Sequence, residues 1–101
     1  MREKWLVVHD KSGQGLWAFN LADVVRIRLT VQRKDQWWAV MVLSFRDGTV
    51  WVVHPTEPAD TAEEAYASAL PVFRRIVAAA ATTESNLVEV APACLPAERI
   101  Q

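Results

Sequence analysis

Between Lys4 and His54 the apolar residues come in short alternating or continuous runs, broken every few positions by turn-forming residues; between Thr61 and Ala81 they recur at intervals of three and four. The first pattern predicts strands and the second a helix. Five strands are expected at Lys4–His9, Leu16–Asn20, Val24–Gln32, Trp37–Arg46 and Thr49–His54. The links between them are short, which suits antiparallel pairing and leaves no room for parallel crossovers. Asp47-Gly48 is the strongest turn signal, matching a two-residue hairpin loop. In the second half, Thr61 precedes Glu64 by three residues, as in a capping box. Ala62, Tyr66, Ala69, Phe73, Ile76 and Ala80 then fall along one helical face. Pro71 interrupts that run, yet the periodicity continues in phase, so one kinked helix is expected rather than two. Asn86–Val90 reads as a short sixth strand and the residues from Ala91 onward as a loose tail. The expected fold is a single α+β domain over residues 1–90: an antiparallel meander of about five strands with one Pro-kinked C-terminal helix packed on one face. Residues 91–101 are expected to form a flexible C-terminal tail.

Side chains alternate across a strand, so the hairpin loops decide which residues share a face. A loop centred on Asp47-Gly48 pairs Phe45 with Val50 and Leu43 with Val52; a three-residue loop at Arg33-Lys34-Asp35 pairs Leu29 with Ala39 and Ile27 with Met41. One face then carries Val25, Ile27, Leu29, Val31, Trp37, Ala39, Met41, Leu43, Phe45, Val50 and Val52, the side expected beneath the helix. The opposite face carries Arg26, Arg28, Thr30, Trp38, Val40, Val42, Ser44, Thr49, Trp51 and Val53. A sheet surface in water is polar throughout, whereas this one holds two tryptophans and three valines between arginines. Each tryptophan buries about 200 Å² when covered, so the patch is large enough to imply contact. Three coverings compete: the first two strands or the C-terminal segment of the same chain, a second copy packed on the same face, or a small ligand. A second copy is preferred, because self-association is the commonest fate of such a surface.

Composition narrows the functional classes. All five tryptophans and all three glycines lie before Pro55, and all five prolines lie at or after it. Residues 1–54 hold eight Lys/Arg against five Asp/Glu, and residues 55–101 hold three against seven, which leaves the chain at −1. That balance disfavours nucleic acid as a partner recognised by bulk charge. One cysteine cannot staple a fold, and no apolar run is long enough for a signal core or a membrane span, so a soluble cytoplasmic protein is expected.

Candidate chemistry is sparse. His9-Asp10 joins an imidazole to a carboxylate, but neighbours on a strand point to opposite faces. His54 could meet His9 where two strand ends converge, with Asp10 or Asp60 as a third metal ligand, although no metal-site spacing is present. Ser12-Gly13-Gln14-Gly15 has the look of a phosphate loop but precedes a strand, so no helix N-terminus backs it. Cys94 has no basic neighbour to activate it, and Arg74-Arg75 reads as a solvated helix edge. No catalytic residue, metal site or cofactor is assigned. The succession from Trp17 through Asn20-Leu21 into Val24–Ile27, followed by a hairpin at Asp47-Gly48 and a helix, resembles an arrangement common among small bacterial proteins; it implies a fold type and no active site. The functional expectation is a non-enzymatic binding or assembly module, homodimeric through Trp38, Val40, Val42, Trp51, Val53, Arg26 and Arg28. The alternative is a binder of a small anionic or aromatic molecule, or a modest enzyme, using the same Trp/Arg-lined surface.

Overall fold

The structure, a computed structural model, describes residues 3–10, 15–82, 86–93 and 97–101. The described residues form an α+β fold, with seven strands in two sheets and one long helix. The strands are β1 (Lys4–Asp10), β2 (Leu16–Asn20), β3 (Val24–Lys34), β4 (Gln36–Phe45), β5 (Val50–Val53), β6 (Asn86–Ala93) and β7 (Glu98–Arg99), and the helix α1 spans Ala62–Ala81. The expected single meander is therefore divided. β3, β4, β5 and β7 form an antiparallel sheet in that order, while β1 lies between β2 and β6 in a smaller one. The β1–β2 pair is antiparallel and the β1–β6 pair parallel, the long passage through α1 supplying the crossover.

A 3-10 turn at Leu21–Asp23 separates the sheets, with the Asn20 side chain accepting from the Ala22 backbone N–H at 3.0 Å. The chain then enters β3 through a bulge. Val24 pairs with Phe45 and Arg26 with Ser44, so Val25 is the extra residue and is 61% exposed, not inward as its parity had suggested. The β3–β4 connection is tighter than expected. Lys34 lies opposite Gln36, with Asp35 at φ 64° making the reversal, a conformation that Asp tolerates better than most residues. The two-residue difference preserves parity, so Ile27, Leu29, Met41 and Leu43 share a face as expected.

The β4–β5 hairpin departs in the way that matters most. Phe45 N–H donates to the Thr49 carbonyl and Gly48 N–H to the Phe45 carbonyl, which closes a three-residue loop with Gly48 at φ 90°. The Asp47 carboxylate braces it, accepting from the Thr49 backbone N–H at 2.9 Å and from its hydroxyl at 2.7 Å. Leu43 consequently pairs with Trp51 and Met41 with Val53, one position away from the expected register. Every side chain of β5 changes sides. Trp51 and Val53 turn inward, and Val50 and Val52 turn outward.

One core serves both sheets and the helix. Leu6, Val8, Phe19, Met41, Leu43, Val53, Ile76, Ala79, Val88 and Ala97 form a single buried cluster. The small sheet meets the large one through aromatic rings, Phe19 lying 5.3 Å from Trp51 edge-on and 5.8 Å from Phe45. Trp17 packs so closely on the backbone at Gly15 that a Cβ there would stand 2.5 Å from the indole. Thr61 caps α1 as expected, its hydroxyl accepting from the Glu64 N–H at 3.1 Å. The helix runs unbroken through Pro71, which sits on its exposed side, where water can satisfy the carbonyl of Ala67 that loses its partner. Its inward stripe is Ala65, Ala69, Ile76 and Ala79, with Val72 and Phe73 beside it; Tyr66, expected inside, is 45% exposed. Lys4 ties β1 to the last turn, donating from Nζ to the Ala80 carbonyl at 2.9 Å, where the helix dipole favours a cation. Arg75, expected to be a plain solvated residue, reaches the Glu89 carbonyl of β6 at 3.5 Å.

The C-terminal segment also differs from its expected form. β6 continues to Ala93, Ala97 is buried in the core, and β7 extends the large sheet beside β5, with Ile100 N–H donating to the Val50 carbonyl. No helix among the described residues is long and apolar enough to cross a membrane.

Candidate functional site

The large sheet has two unlike faces. On the inner face, Met41, Leu43 and Val53 lie in the core shared with α1 and the small sheet. The outer face is built by alternation from the other parity: Arg26, Arg28, Thr30 and Gln32 on β3; Trp38, Val40, Val42 and Ser44 on β4; Val50 and Val52 on β5; and Glu98 beside Val52. The first two strands, one of the candidate coverings for this face, pack on the inner side instead. β7 lengthens the sheet sideways and does not cover it.

Five of the seven residues assigned to the interface from sequence share this outer face: Arg26, Arg28, Trp38, Val40 and Val42. Trp51 and Val53 do not, because the three-residue loop shifts β5 by one position; Val53 is fully buried and Trp51 packs on Phe19. The correction leaves the face no less apolar. Val50 and Val52 replace them, and Ile100, 57% exposed, lies against Val50 at the edge. These three could not be placed from sequence, since Val50, Trp51, Val52 and Val53 are apolar in both parities.

A depression of about 570 Å³ opens on this face. It is lined by Gln32, Lys34, Trp38, Val40, Val52, His54, Glu98 and Ile100. The Trp38 indole is held in place, its Nε1–H donating to the Lys34 carbonyl at 3.2 Å and its ring meeting His54 edge-on at 5.6 Å. His54 begins an excursion of the chain. After β5 the backbone leaves β4, then returns at Ala59, which exchanges two hydrogen bonds with Trp37 at 2.8 and 2.9 Å. Two buried polar atoms within that excursion, His54 Nδ1 and Thr56 Oγ1, have no hydrogen-bond partner among the described residues. Burial holds the His54 imidazole below its ordinary pKa; the Lys34 ammonium pushes the same way and Glu98 partly opposes it. The ring is therefore neutral at pH 7.

The other sequence candidates do not gather here. His9 lies on the small sheet, opposite Leu16, and His54 on the large one. No group of three or more His, Cys, Asp or Glu able to hold a metal ion occurs among the described residues. The loop at 11–14 and Cys94 lie outside the described residues, as does the side chain of Asp10.

Searches for similarity found no match among protein-family models, curated proteins or solved structures.

Proposed function

We propose that the protein is a non-enzymatic assembly module that forms a homodimer through the outer face of the large sheet. The observation that carries this reading is the apolar centre of that face, made by half-buried Trp38, Val42, Val50 and Val52 around the buried Val40, over which no helix or strand among the described residues is packed. Strands that are apolar on both sides belong to sheets covered on both sides, and here the helix and the small sheet both lie on one. At about 25 cal/mol per Å² of apolar surface removed from water, covering such a patch is worth several kcal/mol. The surface is self-complementary in character: an apolar centre, with cationic Arg26 and Arg28 along β3 and acidic Glu98 on the opposite edge.

Light scattering on a size-exclusion column tests the reading. The wild type should elute with the mass of two chains, and Val42→Asp with that of one while keeping its circular dichroism. A wild type that stays monomeric at high concentration would end the proposal.

A second reading is favoured by one specific feature, the unpartnered His54 Nδ1 beside the depression. A pocket of this volume suits a small ligand, and Trp38, Lys34 and neutral His54 suit an aromatic molecule bearing an anionic group. Its signature is quenching of tryptophan fluorescence by such a compound, abolished by Trp38→Phe with no change in mass.

A further inference from the structure

We infer that the second copy docks about a twofold axis running parallel to the strands, so that Arg28 of each chain faces Glu98 of its partner. This rests on the reading that a second copy covers the outer face. The strand registers line up one residue from each strand across the sheet: Arg28 lies opposite Val42, Val42 opposite Val52, and Val52 opposite Glu98. Directly paired residues project on the same side. The row therefore reads cation, valine, valine, carboxylate. Three inter-strand spacings of about 4.8 Å set its ends roughly 14 Å apart, with the two valines between them. Arg28 and Glu98 are both exposed. The flanking rows follow suit. Arg26 lines up with Ser44 and Val50, next to Ile100, and Thr30 lines up with Val40, next to His54.

Two sheets packed face to face can be related by a twofold axis lying between them in two directions. An axis across the strands lays β3 on β3, stacking Arg26 and Arg28 against the same cationic strand of the other copy. Like charges set against each other across an interface repel, and such pairings reject the arrangement. An axis along the strands instead lays β3 on β7 and β4 on β5, without changing the level of any residue along the axis. The row of four then meets its own reverse. Each guanidinium lies over a carboxylate and the valines lie over valines. One level away, Arg26 lies over the partner's Ile100, whose exposed side chain can pack on the aliphatic stem of the arginine. On the other side, half-buried His54 comes to the level of the partner's Val40, which that chain already buries. Strand directions of stacked sheets within about 30° of each other are ordinary for aligned packing, so the arrangement needs no unusual geometry.

A charge-reversal cycle on the full chain tests the axis. Arg28→Glu and Glu98→Arg each set like charges at both ends of the row and should weaken self-association about tenfold in sedimentation equilibrium, whereas the double variant should return to within about threefold of wild type. Both positions are exposed, and circular dichroism is the check that each variant folds. A wild-type dimer whose single variants are unaffected, or whose double variant is as weak as the sum of the two, overturns the axis and leaves the dimer itself standing. A wild type that remains monomeric throughout overturns both.

Discussion

The two faces of the large sheet are made from the same short strands and end in opposite circumstances. On the inner face, Met41, Leu43 and Val53 are fully buried beneath α1 and the small sheet. On the outer face, Trp38, Val42, Val50 and Val52 are only half-buried, although their chemistry is nearly the same. The difference is one of supply. The chain provides a helix and a three-stranded sheet as covering layers, and it spends both on one side. Burial on that side secures the fold, whereas the other side keeps an apolar surface that no helix or strand among the described residues covers, which is the ground for the proposed dimer.

Substitutions that separate the faces should show the contrast most strongly. Leu43→Ala removes a fully buried side chain and should lower the unfolding free energy by about 2–5 kcal/mol in denaturant titration. Val42→Ala, one residue away on the outer face, should cost less than about 1.5 kcal/mol in the monomer while weakening association. Equal losses at the two positions would mean that the outer face is covered within the chain. The two tryptophans sharpen the same contrast. Trp51→Ala should cost about 3 kcal/mol of stability, because its ring packs on Phe19. Trp38→Ala should leave stability nearly intact and lower the apparent mass.

Acid should act on the outer face. The His54 pKa is lowered by burial, so its contribution to stability is fully present above the ordinary histidine value and is lost as pH falls through the lower folded value. Lys34 on β3 and Glu98 on β7 act on the ring with opposite signs. Association measured at pH 7.5 and again near pH 5 should be weaker at the acid end, and His54→Phe should flatten the difference. The smallest effect belongs to the helix start. Thr61→Ala removes the acceptor for the Glu64 N–H and should cost about 1 kcal/mol, with no effect on mass.

Local chemistry carried much of the architecture. The strands, the capping Thr61 and the helix beyond it were legible because turn residues and periodicity act over a few positions. The division into two sheets was not, since β6 finds β1 as a parallel partner some eighty residues away in the chain. The hairpin register failed for a different reason. Arg46-Asp47-Gly48 accommodates a loop of two or three residues, and β5 has no polar position to decide between them. The decision falls to the core, where the larger Trp51 gains more from burial beside Phe19 than a valine would. β4 is likewise apolar in both parities from Trp37 to Leu43. The same ambiguity that hid the register makes both faces apolar, so an apolar outer face was legible, while Trp51 and Val53, two of the seven residues assigned to it, lie on the inner side.

The mass of the wild-type protein in solution, followed by light scattering across a wide concentration range, bears most directly on this account. A species of twice the 11.4 kDa chain mass that falls to a single chain in Val42→Asp is the predicted result. A wild type that holds at one chain mass at every concentration, with Trp38 as exposed to a soluble quencher as in the variant, contradicts it.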